Sequence, residues 1–216
     1  MISDFKTVFV LAPHTDDGEL GAGGTISRLI ETGSDVHYLA FCNAEMSVPQ
    51  GHENGVLIKE LFKATSELGI PKKNVSIYDF EVRKLNYARQ EILEELIKYR
   101  KRILPDLVLL PSTHDIHQDH KTISEEGIRA FKGTSILGYE LIWNNLISEN
   151  TSFVELKERH LIKKIKSCSK YASQAEKEYM SKDFISSLAK TRGVQVGLEY
   201  AECFQVIRWV NKVDYH

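Results

Sequence analysis

The fold is decided near the N-terminus, where residues 7–25 read TVFVLAPHTDDGELGAGGT. The stretch begins with an apolar run, Thr7 to Leu11, whose β-branched and large side chains are typical of a buried strand. The run passes directly into a loop with one histidine, two adjacent aspartates and four glycines. Ligands of α/β proteins bind where strands end in polar loops, so this stretch indicates both a fold class and the place of a site.

The rest of the chain continues the alternation of strand and helix that this run begins. Further strands are predicted at Val36 to Phe41, Val75 to Tyr78, Leu107 to Leu110 and Ile136 to Leu141. Helices are predicted over Thr25 to Thr32, Ile58 to Leu68, Glu91 to Arg102 and Ile123 to Phe131. Glycines follow three of these helices and are expected to form left-handed caps, at Gly33, Gly69 and Gly133. The alternation predicts an α/β fold, a Rossmann-like three-layer sandwich with a mainly parallel sheet.

Length, charge and cysteine content narrow the class of protein. The 216 residues suffice to bury one core, and we predict a single domain over residues 1–216. A net charge of −2 gives no overall attraction to nucleic acid, so no nucleic-acid partner is expected. The 3 cysteines form no CxxC pair, which favours a reducing compartment over a disulfide framework. The apolar run Val8 to Ala12 is too short for a signal sequence or a membrane span, so we expect a cytoplasmic protein.

A second polar loop follows the fourth predicted strand, where residues 111–120 read PSTHDIHQDH. This loop holds His114, His117 and His120, three of the 8 histidines. If the first and fourth strands are neighbours, the two loops face each other, and His14 and Asp17 can close on a metal ion together with a histidine of the second loop. Two imidazoles, a carboxylate and an open position are typical of a catalytic zinc site. Asp16 would then be free to act as a base.

Each loop also has a simpler interpretation. Asp-Asp-Gly after a strand can be turn chemistry and helix capping, and a histidine-rich loop can be a solvated surface loop, His114 in particular. The glycines do not indicate a dinucleotide site, because Ile26 occupies the third glycine position that the G-x-G-x-x-G pattern requires. Two such loops, each directly after an apolar strand, favour the metal site.

The two loops resemble the motifs of the PIG-L/LmbE family of zinc-dependent N-deacetylases. Residues 13–17 and 21–24 are similar to the family's A-H-P-D-D-E and G-x-G-G stretch, and residues 117–120 to its H-P-D-H. The resemblance extends to the C-terminal part, over residues 171–174, 192–193 and 200–204. Thr15 and Gln118 replace prolines of the family's motifs. Gly18 stands where many members have glutamate, and the acidic residue falls one place later, at Glu19.

The resemblance implies a set of roles for these residues. His14, Asp17 and His120 would bind Zn²⁺, or another divalent transition metal such as Fe²⁺, and Asp16 would be the general base. His117, oriented by Asp119, would stabilise the oxyanion or serve as general acid. The substrate would be an N-acetylated sugar of the N-acetylglucosamine type, or a conjugate of one, which loses its acetyl group as acetate and keeps a free amine. The resemblance also implies a homo-oligomer.

Three other functions remain open at this point. The spacing of His114, His117, Asp119 and His120 is close to that of metal hydrolases with the metallo-β-lactamase fold. Two histidines and a carboxylate also form the iron site of non-haem oxygenases. Both of those classes usually have folds without the parallel alternation predicted here. The third alternative is a flavodoxin-like module that binds a sugar without turnover, which acetate release and its loss on chelation would distinguish from an enzyme.

Overall fold

The architecture was obtained as a computed structural model, which describes residues 2–43, 48 and 52–211. The strands are β1 (Thr7–Ala12), β2 (Asp35–Ala40), β3 (Val75–Ile77), β4 (Leu107–Pro111), β5 (Ser135–Tyr139), β6 (Ser152–Leu156) and β7 (Tyr200–Arg208). The α-helices are α1 (Asp17–Glu31), α2 (Val56–Leu68), α3 (Arg89–Ile103), α4 (Gln118–Ala130), α5 (Glu158–Cys168) and α6 (Lys182–Gln195). Short 3₁₀ turns lie at Ile2–Asp4, Lys72–Asn74, Leu85–Tyr87, Ala172–Gln174 and Glu178–Met180.

The strands form one seven-stranded sheet in the order β3-β2-β1-β4-β5-β7-β6. The first five of these are parallel to one another, and β7 pairs antiparallel with both β5 and β6. From β1 the chain proceeds toward one edge through β2 and β3, then returns to place β4 on the other side of β1. The strand order therefore reverses between β1 and β4, which is where α/β sheets bind ligands.

Helices cover both faces of the sheet. α1, α2 and α5 pack against one another in one layer, and α3 packs against α4 in the other. The central strands β1 and β4 are buried along almost their whole length, as expected for strands covered on both faces. The predicted fold class, a Rossmann-like three-layer sandwich with a mainly parallel sheet, is confirmed.

The five predicted strands are present with ends shifted by one or two residues, whereas β6 and β7 were not predicted. Their sequences explain the omission. Glu155 lies within β6, and Glu202 and Arg208 lie within β7, so neither reads as a continuous apolar run. Both antiparallel strands expose part of their length, so they lack the continuous apolar run that marks the buried parallel strands.

Helix α1 begins at Asp17, eight residues before the predicted start at Thr25, so its glycine-rich first part is helical as well. The helix is kinked at Ala22, which has non-helical dihedral angles (φ −140°, ψ 15°). Just after the kink, the N–H groups of Gly24 and Thr25 donate to the Glu202 carboxylate of β7 at 2.9 and 2.6 Å. Lys164 of α5 pairs with the same carboxylate at 2.7 Å. Glu202 thus caps the second segment of the helix, the part that the sequence pattern predicts.

The C-terminal residues that resemble the family also have structural contacts. Arg192 of α6 makes a buried two-pronged ion pair with Glu140, with distances of 2.8 and 2.7 Å, at the end of β5. A Cβ at Gly193 would lie 2.7 Å from the carbonyl oxygen of Glu199, so this position admits only glycine without a backbone shift. These contacts dock α6 and β7 on the sheet.

The predicted glycine caps are confirmed at two positions and wrong at the third. Gly33 (φ 94°) and Gly69 (φ 101°) adopt the left-handed conformation after α1 and α2. Gly133 has no positive φ, since α4 already ends at Ala130 and the chain has left the helix before it reaches this glycine. Helix α4 also begins at Gln118, five residues before its predicted start, which places His120 in its first turn.

Across the described ranges, none of the helices combines the length and the apolar character that a membrane crossing requires.

Gly21 of α1 packs closely against Tyr139 of β5, and we predict that Gly21→Ala destabilises the protein. A Cβ there would lie 2.2 Å from Cδ2 of the buried Tyr139 ring. Overpacking of this kind typically costs about 1–3 kcal/mol, although alanine favours a helix over glycine by about 1 kcal/mol. Gly133→Ala is the control, since nothing lies within 4 Å of its Cβ position. Chemical denaturation should show the loss for Gly21→Ala only; equal stability of the two variants would contradict the packing.

Candidate metal centre

The two polar loops meet at the carboxyl ends of β1 and β4. Val8, Phe9 and Val10 pair in parallel with Leu107, Val108 and Leu109, so the two strands end side by side. His14 and Asp17 follow β1, while His117 and His120 follow β4. The expectation that the first and fourth predicted strands are neighbours is confirmed, and the loops share one crevice.

Three ligand atoms converge in this crevice. Asp17 Oδ2 lies 3.1 Å from His14 Nδ1 and 3.3 Å from His120 Nε2. The two imidazole nitrogens are 3.1 Å apart. In a tetrahedral site with bonds of about 2.0–2.1 Å, two ligand atoms are separated by about 3.3 Å. The triangle therefore has the size of one face of a zinc coordination sphere, and the residues present fit such an ion.

His117 lies beside this triangle. His14, His117 and His120 each offer one ring nitrogen to a second possible ligand group, whose atoms lie within 4.8 Å of one another. The ring centroids of His117 and His120 are 4.4 Å apart. The geometry thus contains two overlapping trios, one with Asp17 and one with His117 as the third member.

Both converging imidazoles are held from behind by carboxylates. Asp119 Oδ2 lies 3.1 Å from His14 Nε2, and Asp115 Oδ2 lies 2.7 Å from His120 Nδ1. A carboxylate on the outer nitrogen fixes the ring orientation of a metal-binding histidine and leaves the inner nitrogen for the metal. The sequence predictions did not include Asp115. Two carboxylates in the second loop, together with the need of each metal-binding histidine for an outer partner, were the signal that could have identified it.

The orientation of His117 differs from the prediction. The Asp119 carboxylate contacts His14 and accepts the N–H groups of Arg83 (2.6 Å) and Leu85 (3.2 Å). It is the backbone N–H of Asp119 that contacts His117, donating to Nδ1 at 3.2 Å. This contact forms because His117 is the N-cap of α4, and the N–H groups of the first turn have no partner within the helix.

This cap determines the tautomer of His117. Because Nδ1 accepts a hydrogen bond, the ring proton of the neutral imidazole resides on Nε2. Burial and the charges of His120 and His14 lower the pKa of His117 to about 4. At neutral pH the ring is therefore uncharged and donates through Nε2–H.

The converging groups carry opposite charges that stabilise one another. Burial is the largest single influence and lowers the pKa of each ligand histidine. The Asp17 charge and the hydrogen bonds to the surrounding carboxylates together outweigh it, so the pKa rises to about 9 for His14 and about 10 for His120. Burial opposes ionisation of Asp17, yet the charges of His120 and His14 hold its pKa well below the usual range. A metal ion would displace the two inner protons and take over their role as counter-charge.

The adjacent aspartates differ in environment. Asp17 Oδ2 turns back to accept the His14 N–H at 2.8 Å, whereas Asp16 is half-buried and lines the cavity in front of the cluster. Burial, followed by the Asp17 charge, raises the pKa of Asp16. A carboxylate with a raised pKa accepts a proton more readily, which suits a base.

Glu19 lies behind the first loop and does not face the crevice. Its fully buried carboxyl group contacts the hydroxyl of Tyr38 and lies 3.0 Å from that of Tyr171. Both hydroxyls also reach the carbonyl oxygen of Thr15, at 3.0 and 2.7 Å. Burial raises the pKa of Glu19 to about 8. This network fixes the loop between His14 and Asp16 from the core side.

The cluster forms the floor of an open cavity of about 310 Å³. His14, Asp16, Asp17, His117 and His120 all line it. His114 does not belong to this group, since its Nε2 lies 3.4 Å from Glu149 instead. The simpler interpretation of His114 as a loop residue outside the site agrees with this position.

Comparison with known protein sequences yields a family and a relative. The model of the PIG-L family, described as GlcNAc-PI de-N-acetylase, matches residues 9–131, more than half of the 216 residues. A diacetylchitobiose deacetylase of Thermococcus kodakarensis is 33% identical over 136 residues. That stretch is 59% of this chain and 50% of the relative, so the match spans half the relative's length.

Solved structures share the fold. The N,N'-diacetylchitobiose deacetylase of Pyrococcus horikoshii, in complex with its inhibitor MPG, superposes with a TM-score of 0.76 at 21% identity. The superposition covers 95% of this chain and 85% of that one. The 4-carboxy-2-hydroxymuconate hydratase GalB of Pseudomonas putida KT2440 gives 0.73 at 19% identity, over 98% of this chain and 100% of the hydratase. At this identity the likeness establishes the fold alone, and the named activities of these proteins already differ.

The outer carboxylates lead to a prediction about metal affinity. Asp115→Asn and Asp119→Asn each keep the shape of the side chain but lose the anion that holds a ligand histidine. Loss of such a partner typically weakens metal binding by 10–100-fold. Asp183→Asn, at an exposed position in the first turn of α6, serves as control. Competition with a chelator measures the affinity; metal retention equal to that of the control would contradict the role given to these carboxylates.

Proposed function

Since this chain belongs to the PIG-L family, we propose that it is a metal-dependent deacetylase of N-acetylated sugars. Its substrate would carry an acetamido group of the N-acetylglucosamine type, and the products would be acetate and a free amine. The observation that carries the proposal is the triangle of His14 Nδ1, Asp17 Oδ2 and His120 Nε2, with Asp16 beside it in the same cavity. The Thermococcus relative, named as a deacetylase of an acetylated sugar, supports this substrate class.

We assign the metal to His14, Asp17 and His120. Zn²⁺ is the ion that suits two imidazoles and one carboxylate with an open position, and Fe²⁺ is the alternative. When bound, zinc supplies acidification of a water molecule and polarisation of the amide carbonyl. The chain's contribution is to hold the three ligand atoms at mutual distances of 3.1–3.3 Å and to keep both rings oriented through Asp115 and Asp119.

Asp16 is the base in this mechanism. Asp16 lines the cavity, and the raised pKa of its carboxyl group makes it a better proton acceptor than an exposed aspartate. It removes a proton from the attacking water and then returns it to the nitrogen of the departing amine. Asp17 is unsuited to this role, because it is surrounded by His14 and His120.

His117 is the donor to the oxyanion. Its Nδ1 is occupied by the N–H of Asp119, so Nε2–H is the group available to the developing negative charge. Of the two roles that the resemblance left open, the low pKa of His117 favours hydrogen-bond donation over proton transfer. Asp119 contributes to the site through its backbone to His117 and through its carboxylate to His14.

The alternative functions differ in what the protein would do with a sugar. The mainly parallel sheet argues against the metallo-β-lactamase and oxygenase interpretations, which usually occur on other folds. A sugar-binding module would bind the ligand and release nothing. N,N'-diacetylchitobiose and a panel of N-acetyl sugars should therefore be incubated with the purified protein, and both acetate and free amine measured before and after chelation. Binding without acetate release would overturn the proposal, and so would release that survives complete metal removal.

The expected homo-oligomer stays a prediction, which the mass of the protein in solution would test.

The two overlapping trios give different outcomes for two alanine variants. We predict that His120→Ala loses most of its bound metal, because it removes a member of the Asp17 triangle. His117→Ala should keep the metal and lose activity by about a hundredfold or more, the usual effect of removing one oxyanion donor. Elemental analysis and kcat measure the two effects. If His117→Ala emptied the site while His120→Ala did not, the ligand assignment would be wrong.

Substitutions of the two adjacent aspartates should also have different effects. Asp16→Asn cannot accept a proton, so we expect normal metal content and a kcat lower by about 10²–10⁴-fold, the usual contribution of a general base. Asp17→Asn replaces a charged ligand by a neutral one and should weaken metal binding. Zinc content and kcat should be measured for both variants at saturating zinc. Near-normal kcat in Asp16→Asn would remove this residue as the base.

A further inference from the structure

Two cationic side chains line the cavity in addition to the metal cluster. They are Arg83, from the connection between β3 and α3, and Lys177, from the connection between α5 and α6. Over the ranges that the structure describes, neither of them forms an ion pair with a carboxylate. The cavity therefore contains two positive charges that the protein's own salt bridges do not use.

The carboxylates that line the cavity leave these cations unmatched. Asp16 and Asp17 are the acidic residues among its described lining. A divalent metal ion would balance both, with Asp17 as its ligand and Asp16 beside it. Asp115 and Asp119 lie behind the ligand histidines and do not line the cavity. Arg83 and Lys177 would then be the uncompensated charges that face a bound substrate, and they would attract an anion.

Both cations are attached to parts of the site that are fixed. Arg83 has a left-handed backbone (φ 66°), and its N–H donates to Asp119, the carboxylate that holds His14. Lys177 Nζ lies 5.6 Å from the centroid of the Tyr179 ring. The Tyr179 ring is stacked on the Trp143 ring, with 4.1 Å between the ring centroids and an angle of 8° between the ring planes. Both aromatic residues line the same cavity and offer an apolar wall beside the polar floor.

On this basis we infer that the substrate carries an anionic group, a phosphate or a carboxylate, that Arg83 and Lys177 bind while the acetamido group lies at the metal cluster. The inference rests on the proposed deacetylase function and narrows its substrate class to acidic conjugates of N-acetylated amino sugars. Arginine suits this role because its planar guanidinium binds phosphate or carboxylate through two parallel hydrogen bonds. A neutral oligosaccharide would leave both charges without a partner.

A different explanation for Lys177 is that it only balances Asp16. Its charge does oppose the rise in the pKa of Asp16. In that case its removal would change the turnover of neutral and anionic substrates by the same factor. The ratio between the two substrate types therefore separates substrate binding from an effect on the base.

The test compares substrates that differ in charge. The neutral set is N-acetylglucosamine and N,N'-diacetylchitobiose; the anionic set is N-acetylglucosamine 6-phosphate, N-acetylglucosamine 1-phosphate and N-acetylmuramic acid, whose carboxylate separates the two kinds of anion. We expect kcat/KM of the wild type to favour at least one anionic substrate by about tenfold or more. Arg83→Gln and Lys177→Gln should each lower the anionic-to-neutral ratio by about tenfold, the effect of losing one hydrogen bond to a charged group.

Lys84→Gln is the matched control, because it removes the same charge from the neighbouring residue, which is exposed and pairs with Glu81 at 2.6 Å. This variant should leave the ratio unchanged. A second measurement does not depend on turnover: calorimetric titration of the purified protein with glucosamine 6-phosphate and with glucosamine, which lack the acetyl group. The phosphate should bind more tightly, and Arg83→Gln should remove the difference.

The outcomes separate the two proposals. If neutral sugars are deacetylated as well as anionic ones, and the ratio is the same in Arg83→Gln, Lys177→Gln and Lys84→Gln, the inference is overturned while the deacetylase function stands. If no sugar loses acetate but glucosamine 6-phosphate binds in a manner that depends on Arg83, the proposed function falls and the anionic subsite stands.

Discussion

The parallel pairing of β1 with β4 is the constraint on which the rest of the structure depends. These two strands are adjacent in space but separated by almost one hundred residues, Val8 facing Leu107 and Val10 facing Leu109. Because parallel strands end at the same edge of a sheet, the pairing brings the loop after Ala12 to the loop after Pro111. The helices that follow both strands begin at this edge, so Asp17 and His117 lie at two helix N-termini, where the helix dipole stabilises a negative charge.

The charge arrangement of the site follows from burial. A carboxylate taken out of water requires partners, and Asp17 has His14 and His120 within 3.3 Å. Each of those rings has a second carboxylate behind it, Asp119 for His14 and Asp115 for His120. The anions and imidazoles alternate from the core to the crevice. Such an arrangement leaves little freedom to either ring, which is the preorganisation that a metal site requires.

The fold and the chemistry are separate properties of this protein. The same sheet and helices superpose on deacetylases and on a hydratase, so the architecture by itself does not select a reaction. What selects it is the set of side chains at the edge between β1 and β4. Asp16 and Asp17 are neighbours in the chain, yet one faces open cavity and the other two imidazoles, and this difference in surroundings gives two carboxylates opposite pKa shifts and different roles.

The sequence by itself determined the buried parallel strands, the alternation with helices and the two loops that hold the site residues, because these features depend on local periodicity and on residue type. It did not determine what touches those loops from elsewhere in the chain. The second segment of α1 depends on Glu202 of β7, the ring of His120 on Asp115, and the loop at Thr15 on the hydroxyls of Tyr38 and Tyr171. Asp119 shows this most directly: His117 is only two residues away in the sequence, but the Asp119 carboxylate reaches His14, 105 residues away in the chain. A side chain's partner is set by its direction from the backbone and by which strands pair, and neither is contained in the spacing of residues along the chain.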